Sequence, residues 1–322
     1  MIVTVTLNPS LDLTYALGEA PLGEVDVHRA ETSSLEASGK GVNVSRALHL
    51  AGVATVAVFP AGGQTGRHVG DLLAAAGVEH VAVPVQGETR INTSLLLGSG
   101  QTVKVNGPGT PLARADVETL LGTLETVLTG VDRHAGESWL ALCGSLPPGM
   151  APDVVGEFVH LAHRYAVRCA VDVSGPALRA ALRAKADLLA PNRLELGELV
   201  GADMAAAGIP AVAEAAGRLA ADYGTELLVS LGSDGAVHTD GIEALHGSGP
   251  ALVAVNTAGA GDAFLAGWLA VPGAPRERMA RALAWGRSAC LSATTVDPAP
   301  GTRGVDGITV STINQRVKGI PS

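Results

Sequence analysis

The chain has 322 residues, of which 47% are hydrophobic and only 3% are aromatic, and its formal net charge is −9 at pH 7. This length suits one large domain or two small ones, with a core of Ala, Val and Leu. The acidic balance argues against nucleic acid as the main partner, and no apolar stretch is long enough to span a bilayer.

The three cysteines and the N-terminus indicate the expected compartment. Cys143, Cys169 and Cys290 lie far apart and show no metal-ligand spacing. We expect each to be a small buried hydrophobe in a protein of the reducing cytoplasm. Residues 1–7 are apolar and β-branched without a basic leader or cleavage site, which favours a strand over a signal peptide.

The first third of the chain predicts a strand, a thin extra sheet and two βα units. Residues 2–7 form a β-branched run that stops at a turn signal just before Asp12. Residues 15–37 lack the apolar stripe of a core-facing helix, so they predict a thin sheet outside the main core. The elements that follow are helix 42–51, strand 54–59, a helix that ends at residue 76, strand 81–85 and a hairpin of 93–97 and 102–106. Because this hairpin interrupts the βα series, we expect it to protrude and pair with the thin sheet.

From residue 113 onward, helices and strands alternate regularly. The predicted elements are helix 113–128, strand 139–143, helix 152–165, strand 169–173, helix 176–184, strand 187–190, helices 194–200 and 212–223, strand 226–231, a hairpin of 236–238 and 242–245, helix 276–292, and one more helix at 309–317. Alternating βα units imply an α/β fold with a mostly parallel sheet and helices on both faces.

Residues 255–269 combine a β-branched run, a turn of small residues and a helix that starts at Asp262. The small residues Gly259, Ala260 and Gly261 let the backbone approach a ligand, and the first helical turn favours an anion. Asp262 can then take the proton of a hydroxyl group that attacks a phosphoryl group held by the amides. When such a motif stands alone, an ordinary turn with the acid as N-terminal cap is the more frequent explanation. A dinucleotide fingerprint fails because the third glycine is missing.

A second glycine loop, Gly39-Lys40-Gly41, opens the first predicted helix and is another candidate anion site. It is not a nucleotide P-loop, because the required order of residues is absent. A lone lysine in such a loop is more often solvated than functional. The carboxyl ends of parallel strands gather at one edge of a sheet, where we expect Asp12 and the polar loops 144–149, 172–175, 191–195 and 230–235.

Together these stretches resemble the ribokinase-like carbohydrate kinases, in the branch named after the minor phosphofructokinase. The resemblance runs from residue 3 nearly to residue 305. Its motifs are Thr-Leu-Asn-Pro-Ser-Leu-Asp ending at Asp12, Gly-Lys-Gly-Val-Asn-Val at Val44, Thr-Arg-Ile-Asn at Asn92, Gly-Ser-Leu-Pro-Pro-Gly at Gly149, Pro-Asn-Arg-Leu-Glu-Leu at Leu196, Val-Ser-Leu-Gly at Gly232 and Gly-Ala-Gly-Asp at Asp262. Their number and order, more than any single motif, make the family assignment strong.

The resemblance implies a ribokinase-like three-layer sandwich with a mostly parallel central sheet and a small protruding β-sheet lid. The main α/β kinase domain would comprise residues 1–10, 36–88 and 109–322, and the lid residues 11–35 and 89–108. Two lids would pair face to face, as in relatives, which predicts a homodimer. The partners would be a phosphosugar and ATP, without nucleic acid or membrane.

The activity implied is ATP-dependent phosphorylation of fructose 1-phosphate to fructose 1,6-bisphosphate, with Mg²⁺ as cofactor and a monovalent cation left open. Gly39-Lys40-Gly41 and residues 89–92 favour this sugar over fructose 6-phosphate, whereas residues 59–63 favour the opposite. Tagatose 6-phosphate remains an alternative substrate. A sugar-phosphate-binding protein without turnover is the non-enzymatic alternative, and it would predict loss of Asp262. A dehydrogenase is opposed by the failed glycine spacing.

The resemblance also implies roles for individual residues. Asp262 would be the catalytic base, with Gly259, Ala260 and Gly261 as the anion hole. On the substrate side, Asp12, Gly39 and Asn43 would hold sugar hydroxyls, Lys40 and Arg90 would lie near the sugar phosphate, and Ser145 beside it. Asn192 and Glu195 would organise Mg²⁺ through water, and Ser230, Gly232 and Gly235 belong to the nucleotide loop. Ala190 stands where the family usually has a lysine near the nucleotide phosphates, and Arg193 is a candidate replacement.

Overall fold

The computed structural model describes residues 1–18, 22–23, 27–131 and 136–313, and the strands in these ranges form two sheets. The larger sheet contains β1 Ile2–Val5, β4 Thr55–Gly62, β5 His80–Val85, β8 Trp139–Cys143, β9 Arg168–Asp172, β10 Leu188–Leu189, β11 Glu226–Ser230, β12 Ala236–Thr239, β13 Ala244–Ser248 and β14 Thr309–Ile313. The smaller sheet contains β2 Ser10–Leu17, β3 Ala30–Ser38, β6 Arg90–Leu96 and β7 Thr102–Asn106.

The larger sheet is parallel over most of its width. Its strand order is β14-β13-β12-β11-β10-β9-β8-β1-β4-β5. The strands from β11 to β5 run parallel, and β12, β13 and β14 add an antiparallel edge. The predicted mostly parallel α/β sheet is therefore confirmed.

Helices cover both faces of this sheet. They are α1 Lys40–Leu50, α2 Gly63–Ala75, α3 Arg114–Thr129, α4 Val154–Arg164, α5 Pro176–Arg183, α6 Arg193–Val200, α7 Ile209–Tyr223, α8 Ala260–Leu269 and α9 Pro275–Cys290. Because successive strand residues point to opposite faces, Val3 and Val5 join the core under α3 to α7. Ile2 joins the second core, under α1, α8 and α9.

The predicted helix at 309–317 is wrong. Residues Thr309–Ile313 form the edge strand β14, which pairs antiparallel with β13. The run Thr-Val-Ser-Thr-Ile is rich in β-branched residues, which favour a strand when an open edge is at hand. The remainder of that prediction, 314–317, lies outside the described residues. The two successive helices predicted at 194–200 and 212–223 are confirmed, since α7 follows α6 without a strand between them.

The smaller sheet draws its strands from both segments assigned to the lid. β2 pairs antiparallel with β3 and parallel with β6, and β6 pairs antiparallel with β7. Leu11 and Ala37, at the ends of β2 and β3 nearest the main sheet, share a small core with α2. The exact division into main domain and lid stays a prediction. Within the described ranges, no helix is both long and apolar enough to cross a membrane.

Candidate active site

The carboxyl ends of the parallel strands place distant segments at one edge of the larger sheet. β9 ends with Asp172, and the chain beyond β1 continues to Asn8. Asn192, three residues beyond β10, forms an isolated parallel bridge with Ser230, the last residue of β11. Ligands of open α/β sheets bind at this edge, and most of the predicted site residues lie there.

The turn before α8 requires glycine. Gly259 is the N-cap residue with φ of 77°, and a Cβ at this position would lie 2.0 Å from the carbonyl oxygen of Thr295. A Cβ on Gly261, in contrast, would meet nothing within 4 Å, so that side of the turn is open to a ligand. The first turn of α8 therefore borders accessible space, as an anion site needs, and the N–H of Ala260 makes only a long hydrogen bond of 3.4 Å to the carbonyl oxygen of Thr257.

Asp262 is not the N-terminal cap of α8. It lies in the first turn, where no side-chain cap hydrogen bond is formed. Its Oδ2 accepts a hydrogen bond of 2.8 Å from Nδ2 of Asn43 in α1. The residue is only 7% exposed, so this carboxylate is held in the interior of the site by a neutral donor.

The environment of Asp262 raises its pKa to about 6. Burial is the largest cause, because it disfavours the charged form, and the negative charge of Asp172 adds to it. The hydrogen bond from Asn43 and the charge of Lys40 oppose this shift, while Asp12 reinforces it. A carboxyl group with a pKa close to neutral is suited to act as a general base.

Lys40 forms an ion pair with Asp172. Its Nζ donates to Oδ1 of Asp172 at 2.8 Å, and the two side chains are 44% and 8% exposed. Burial lowers the pKa of Lys40, but Asp172, together with Asp262 and Glu195, more than offsets this and raises it above its ordinary value. Sequence reasoning placed Asp172 in a polar loop at this edge of the sheet but gave it no role and did not predict its pairing with Lys40.

Asp12 belongs to a polar cluster in the smaller sheet. Its Oδ1 accepts hydrogen bonds from Oγ of Ser10 at 2.7 Å and from Nδ2 of Asn92 at 2.9 Å. Asn92 stands directly opposite Asp12 in the register of β2 and β6, and its Oδ1 is buried without a partner. Asn92 was part of a recognised motif, but its contact with Asp12 was not predicted. The cluster presents oxygens suited to sugar hydroxyls.

Arg90 lies two residues before Asn92 at the start of β6. Its Nη1 donates to the carbonyl oxygen of Gly107 at 3.1 Å, and its buried Nε has no partner. Burial lowers the pKa of Arg90, and the charge of Asp12 opposes this. The charged neighbour of Arg90 is thus Asp12, whereas those of Lys40 are different carboxylates, so the two predicted phosphate-binding cations have separate surroundings.

Gly39 and Ser145 complete the predicted substrate residues. Gly39 is the N-cap residue of α1 with φ of 117°, and a Cβ there would lie 2.7 Å from Cγ2 of Thr6. Ser145 is exposed, and its Oγ accepts a hydrogen bond of 3.2 Å from Nδ2 of Asn8. Gly39 therefore follows β3, and Ser145 lies in the loop after β8.

Asn192 and Glu195 form a capping box at the start of α6. Oδ1 of Asn192 accepts from the backbone N–H groups of Leu194 and Glu195 at 2.9 Å, and Oε2 of Glu195 accepts from the N–H of Asn192 at 2.8 Å. Burial raises the pKa of Glu195, while the Asn192 N–H and the charge of Lys40 oppose this. The capping box leaves Oε1 of Glu195 available to a ligand.

A cleft of about 430 Å³ adjoins the turn before α8. Its lining includes the predicted residues Ser230, Gly232, Gly235, Ala260 and Gly261. The walls are mostly apolar and come from residues 249–254 and from α9, which suits a flat aromatic base. Asn192 is not in the lining and reaches the cleft only through its backbone bridge to Ser230. A more open groove of about 750 Å³ beside α5 and α6 contains none of the predicted site residues.

Arg193, the candidate replacement for the missing lysine, is bound by other parts of the chain. Its Nη1 donates to the carbonyl oxygens of Ala205 and Ala207 at 3.3 and 2.9 Å, and its Nη2 pairs with Asp234 at 2.8 Å. Ala190 itself packs against the core under α8 and α9. Arg193 therefore braces the nucleotide loop through Asp234.

The glycine turn before α2 does not resemble a dinucleotide site. The carboxylate of Glu88 accepts hydrogen bonds from the N–H groups of Gln64 and Thr65 at 3.3 and 3.2 Å. The helix N-terminus, where a pyrophosphate would bind, is thus filled by the chain's own anion. This opposes a dinucleotide site before α2, just as the failed glycine spacing opposes one before α8.

Comparisons with known proteins agree with this geometry. A family model described as pfkB family carbohydrate kinase matches residues 5–297. The 1-phosphofructokinase of Rhodobacter capsulatus is 36% identical over 268 residues, covering 83% of this chain and 82% of that protein. ATP-dependent 6-phosphofructokinase isozyme 2 of Escherichia coli is 33% identical over 270 residues, covering 82% and 83%. The crystal structure of Escherichia coli phosphofructokinase-2 in complex with potassium superposes with a TM-score of 0.84 at 29% identity, covering 94% of this chain and 97% of that one. This chain therefore belongs to the pfkB family of carbohydrate kinases, enzymes that transfer a phosphoryl group to a hydroxyl group.

Proposed function

We propose that the protein phosphorylates fructose 1-phosphate to fructose 1,6-bisphosphate with ATP. The observation that carries the proposal is the position of Asp262, a buried carboxylate with a pKa raised to about 6. The turn just before it lines the cleft that suits a nucleotide, Asn43 donates a hydrogen bond to it, and the charge of Asp12 contributes to its raised pKa. The similarity to 1-phosphofructokinase of Rhodobacter capsulatus supports the choice of sugar.

In the proposed reaction, Asp262 accepts the proton of the attacking sugar hydroxyl. The backbone N–H groups at Gly259, Ala260 and Gly261 stabilise the negative charge on the phosphoryl group as it moves. Both tasks are compatible because the carboxylate and the amides act on different atoms. The nucleotide would occupy the cleft that Ser230, Gly232 and Gly235 line.

The phosphosugar would bind on the side of the smaller sheet. We assign its hydroxyl groups to Asp12, Gly39 and Asn43, and its phosphate to Arg90 with Ser145 close by. Arg90 supports this assignment because its Nε is buried without a partner, and an arginine offers a planar fork of donors to a phosphate. Lys40 would also lie close to the substrates, but its ion-pair partner is Asp172 and not Asp12.

The residues at the start of α6 fit Mg²⁺ held largely by water and phosphate. Within the described ranges, no three His, Cys, Asp or Glu side chains form a metal cage. Mg²⁺ is usually bound by one or two carboxylates plus substrate phosphates and water, and Glu195 supplies one such carboxylate, with Asn192 beside it. When bound, Mg²⁺ neutralises charge on the nucleotide phosphates. The potassium in the related Escherichia coli structure makes a monovalent cation part of the proposal.

A coupled kinase assay with fructose 1-phosphate, fructose 6-phosphate and tagatose 6-phosphate tests the proposal. We expect the highest kcat/KM for fructose 1-phosphate, and we expect activity to require Mg²⁺. The same assay with and without potassium tests the monovalent cation. A preference for fructose 6-phosphate, the alternative favoured by the similarity to 6-phosphofructokinase isozyme 2, would contradict the choice of sugar. Binding without turnover of any of the three would support the non-enzymatic alternative.

We further propose that two copies pair through the smaller sheet to form a homodimer. Residues opposite each other in register share a face of a sheet, so Leu13, Leu35 and Val105 share one face, as do Leu95 and Val103. Leu35, Val103 and Val105 are 42%, 37% and 60% exposed. The other face carries Asp12 and Asn92, so the apolar face points away from the polar cluster. An exposed apolar sheet face is a typical protein interface.

Light scattering after gel filtration tests the dimer. We expect twice the chain mass for the wild type and a monomer for Val105→Glu. Thr32→Glu, on the opposite face of the sheet, is the matched control and should remain dimeric. A wild type that is monomeric at every concentration would contradict the proposal.

The three free cysteines support our placement of the enzyme in the cytoplasm. Cys143 and Cys169 are buried and Cys290 is half-buried. Burial raises the pKa of Cys143 and Cys169, which keeps them as unreactive thiols.

A further inference from the structure

The charged neighbours of Lys40 differ from those expected of a residue that binds only the sugar phosphate. Its ammonium group interacts with Asp172, Asp262 and Glu195, whereas Arg90 interacts with Asp12. In the proposed function, Asp262 receives the proton of the sugar hydroxyl and Glu195 lies near the nucleotide phosphates. Lys40 also begins α1, the helix from which Asn43 donates a hydrogen bond of 2.8 Å to Asp262, which places Lys40 within one helical turn of the residue that holds the proposed base.

Asp172 is fixed in place and Lys40 is not. Asp172 ends β9, its backbone carbonyl accepts a hydrogen bond of 2.8 Å from the N–H of Gly144, and its side chain is 8% exposed. The Lys40 side chain is 44% exposed, and ordering such a long, flexible chain costs rotamer entropy. The ion pair with a rigid buried carboxylate reduces this cost before any substrate binds.

The ion pair leaves the ammonium group able to bind a ligand. A lysine has three N–H donors, and one of them is used by Oδ1 of Asp172. In the part of the chain that the structure describes, no second hydrogen-bond acceptor of Nζ is found. Two donors are thus free to contact phosphoryl oxygens.

Resting on the proposed function, we propose that Asp172 is a positioning residue that holds the Lys40 ammonium group against the phosphoryl group during transfer. In this step the sugar hydroxyl oxygen forms a bond to the γ-phosphorus, and the bond from that phosphorus to the bridging oxygen breaks. The bridging oxygen keeps the electron pair and leaves with ADP, and the hydroxyl proton goes to Asp262. Lys40 stays protonated and neutralises charge on the oxygens of the moving group.

A double-mutant cycle tests whether Asp172 acts through Lys40. Lys40→Met, which keeps the length of the side chain without its charge, should lower kcat by roughly 10²–10³ and leave KM for fructose 1-phosphate nearly unchanged. Asp172→Ala should lower kcat by about 10-fold to 100-fold through misplacement of the ammonium group. In the Lys40→Met background, Asp172→Ala should change kcat by less than about 2-fold, because the two residues act as one unit.

Two results of the cycle would overturn the proposal. If Asp172→Ala lowered kcat by the same factor in the Lys40→Met background as in the wild type, Asp172 would act independently of Lys40. A rise in KM for the sugar with unchanged kcat in Lys40→Met would show that Lys40 serves ground-state binding. Glu157→Gln, which breaks an ion pair with Arg114 on the outer helices, is the matched control and should leave kcat and KM unchanged.

Competitive acetylation with limiting acetic anhydride, read by mass spectrometry, tests the ion pair without catalysis. Lys40 should react more slowly than the exposed Lys104 and Lys185 in the wild type, and about 10-fold faster in Asp172→Ala than in the wild type. Equal rates in both proteins would overturn the positioning role. A wild type that labels as expected but phosphorylates none of the three sugars would overturn the proposed function and leave the ion pair intact.

Discussion

Two groups of charged residues lie at opposite ends of the same sheet, and they are built differently. At the carboxyl edge, the buried carboxylates of Asp172 and Asp262 have Lys40 as their nearby cation. At the amino edge, Glu137 and Glu226 are each bound directly to Arg168, at 2.5 and 2.6 Å. In the first group, two carboxylates share one nearby cation, so part of their negative charge is not neutralised. In the second group, each glutamate is in direct contact with an arginine.

The pKa values of the two groups differ accordingly. Among the residues that the structure describes, no cation contacts Asp262 directly, and burial together with Asp172 raises its pKa to about 6. Burial would also raise the pKa of Glu226, but hydrogen bonds from His238 and Arg168 outweigh it and lower the value to about 2. An unpaired buried carboxylate is poised for proton transfer, and a paired one contributes to stability.

Aromatic rings complete the amino-edge group. The guanidinium of Arg168 lies 4.1 Å from the ring centroid of Trp139, and that of Arg278 lies 5.3 Å from Trp139 and 5.1 Å from Trp268. These contacts hold the arginines in fixed positions. In this protein, a buried carboxylate therefore indicates the proposed functional site only where it lacks enough cationic partners to neutralise it.

The largest expected effect is on turnover by Asp262→Asn. Because the amide cannot accept the hydroxyl proton, kcat should fall by about 10²–10⁴, while fructose 1-phosphate still binds. Steady-state kinetics and calorimetric titration of the sugar measure the two quantities. Near-normal turnover would remove Asp262 from the role of base.

The paired group should respond in stability and not in activity. Glu226→Gln breaks the ion pair with Arg168 and removes the charge from the hydrogen bond with His238, and the Glu226 side chain is 25% exposed. We expect the free energy of unfolding to fall by roughly 2–4 kcal/mol with kcat unchanged, as measured by urea unfolding and the kinase assay. A loss of activity without a loss of stability would erase the distinction between the two groups.

The smallest expected effect is on the pH dependence of stability, where Asp262→Asn and Glu226→Gln should show opposite trends. The folded pKa of Asp262, about 6, lies above its ordinary value of 3.8, so its ionisation destabilises the fold as pH rises through this window. Asp262→Asn should therefore stabilise the protein by on the order of 1–2 kcal/mol above about pH 6, and less as pH falls towards 4.

Glu226 should show the reverse. Its folded pKa of about 2 lies below its ordinary value of 4.5, so its contribution is present above pH 4.5 and is lost as pH falls towards 2. Thermal unfolding of both variants and the wild type between these pH values measures the two trends. Identical trends for the two variants would contradict the comparison.

Much of the fold could be predicted because local signals agree with the tertiary structure. The predicted bounds of strand 139–143 are those of β8, Trp139–Cys143, which is a short apolar run followed by Gly144. The run at 309–313 was assigned wrongly because its state depends on pairing with β13, a partner 61 or more residues away in the chain. Long-range pairing of this kind cannot be read from a local pattern.

The candidate site was predictable where a motif carries its own geometry. Gly259 and Asp262 belong to one continuous turn and helix, so their proximity follows from the chain. The ion pair of Lys40 with Asp172 joins residues 132 positions apart, and it depends on how α1 and β9 lie across the sheet. Arg193 is a second example, because its pairing with Asp234, 41 residues further along the chain, could not be predicted from the sequence.

The most direct test of Asp262 as the general base is the ratio of wild-type kcat to Asp262→Asn kcat as a function of pH. The ratio cancels the ionisation of the substrate phosphates, which also titrate near pH 6. The pKa of Asp262, about 6, predicts that the ratio is constant above this pH and falls about 10-fold per pH unit below it. A ratio that does not change with pH would contradict the account.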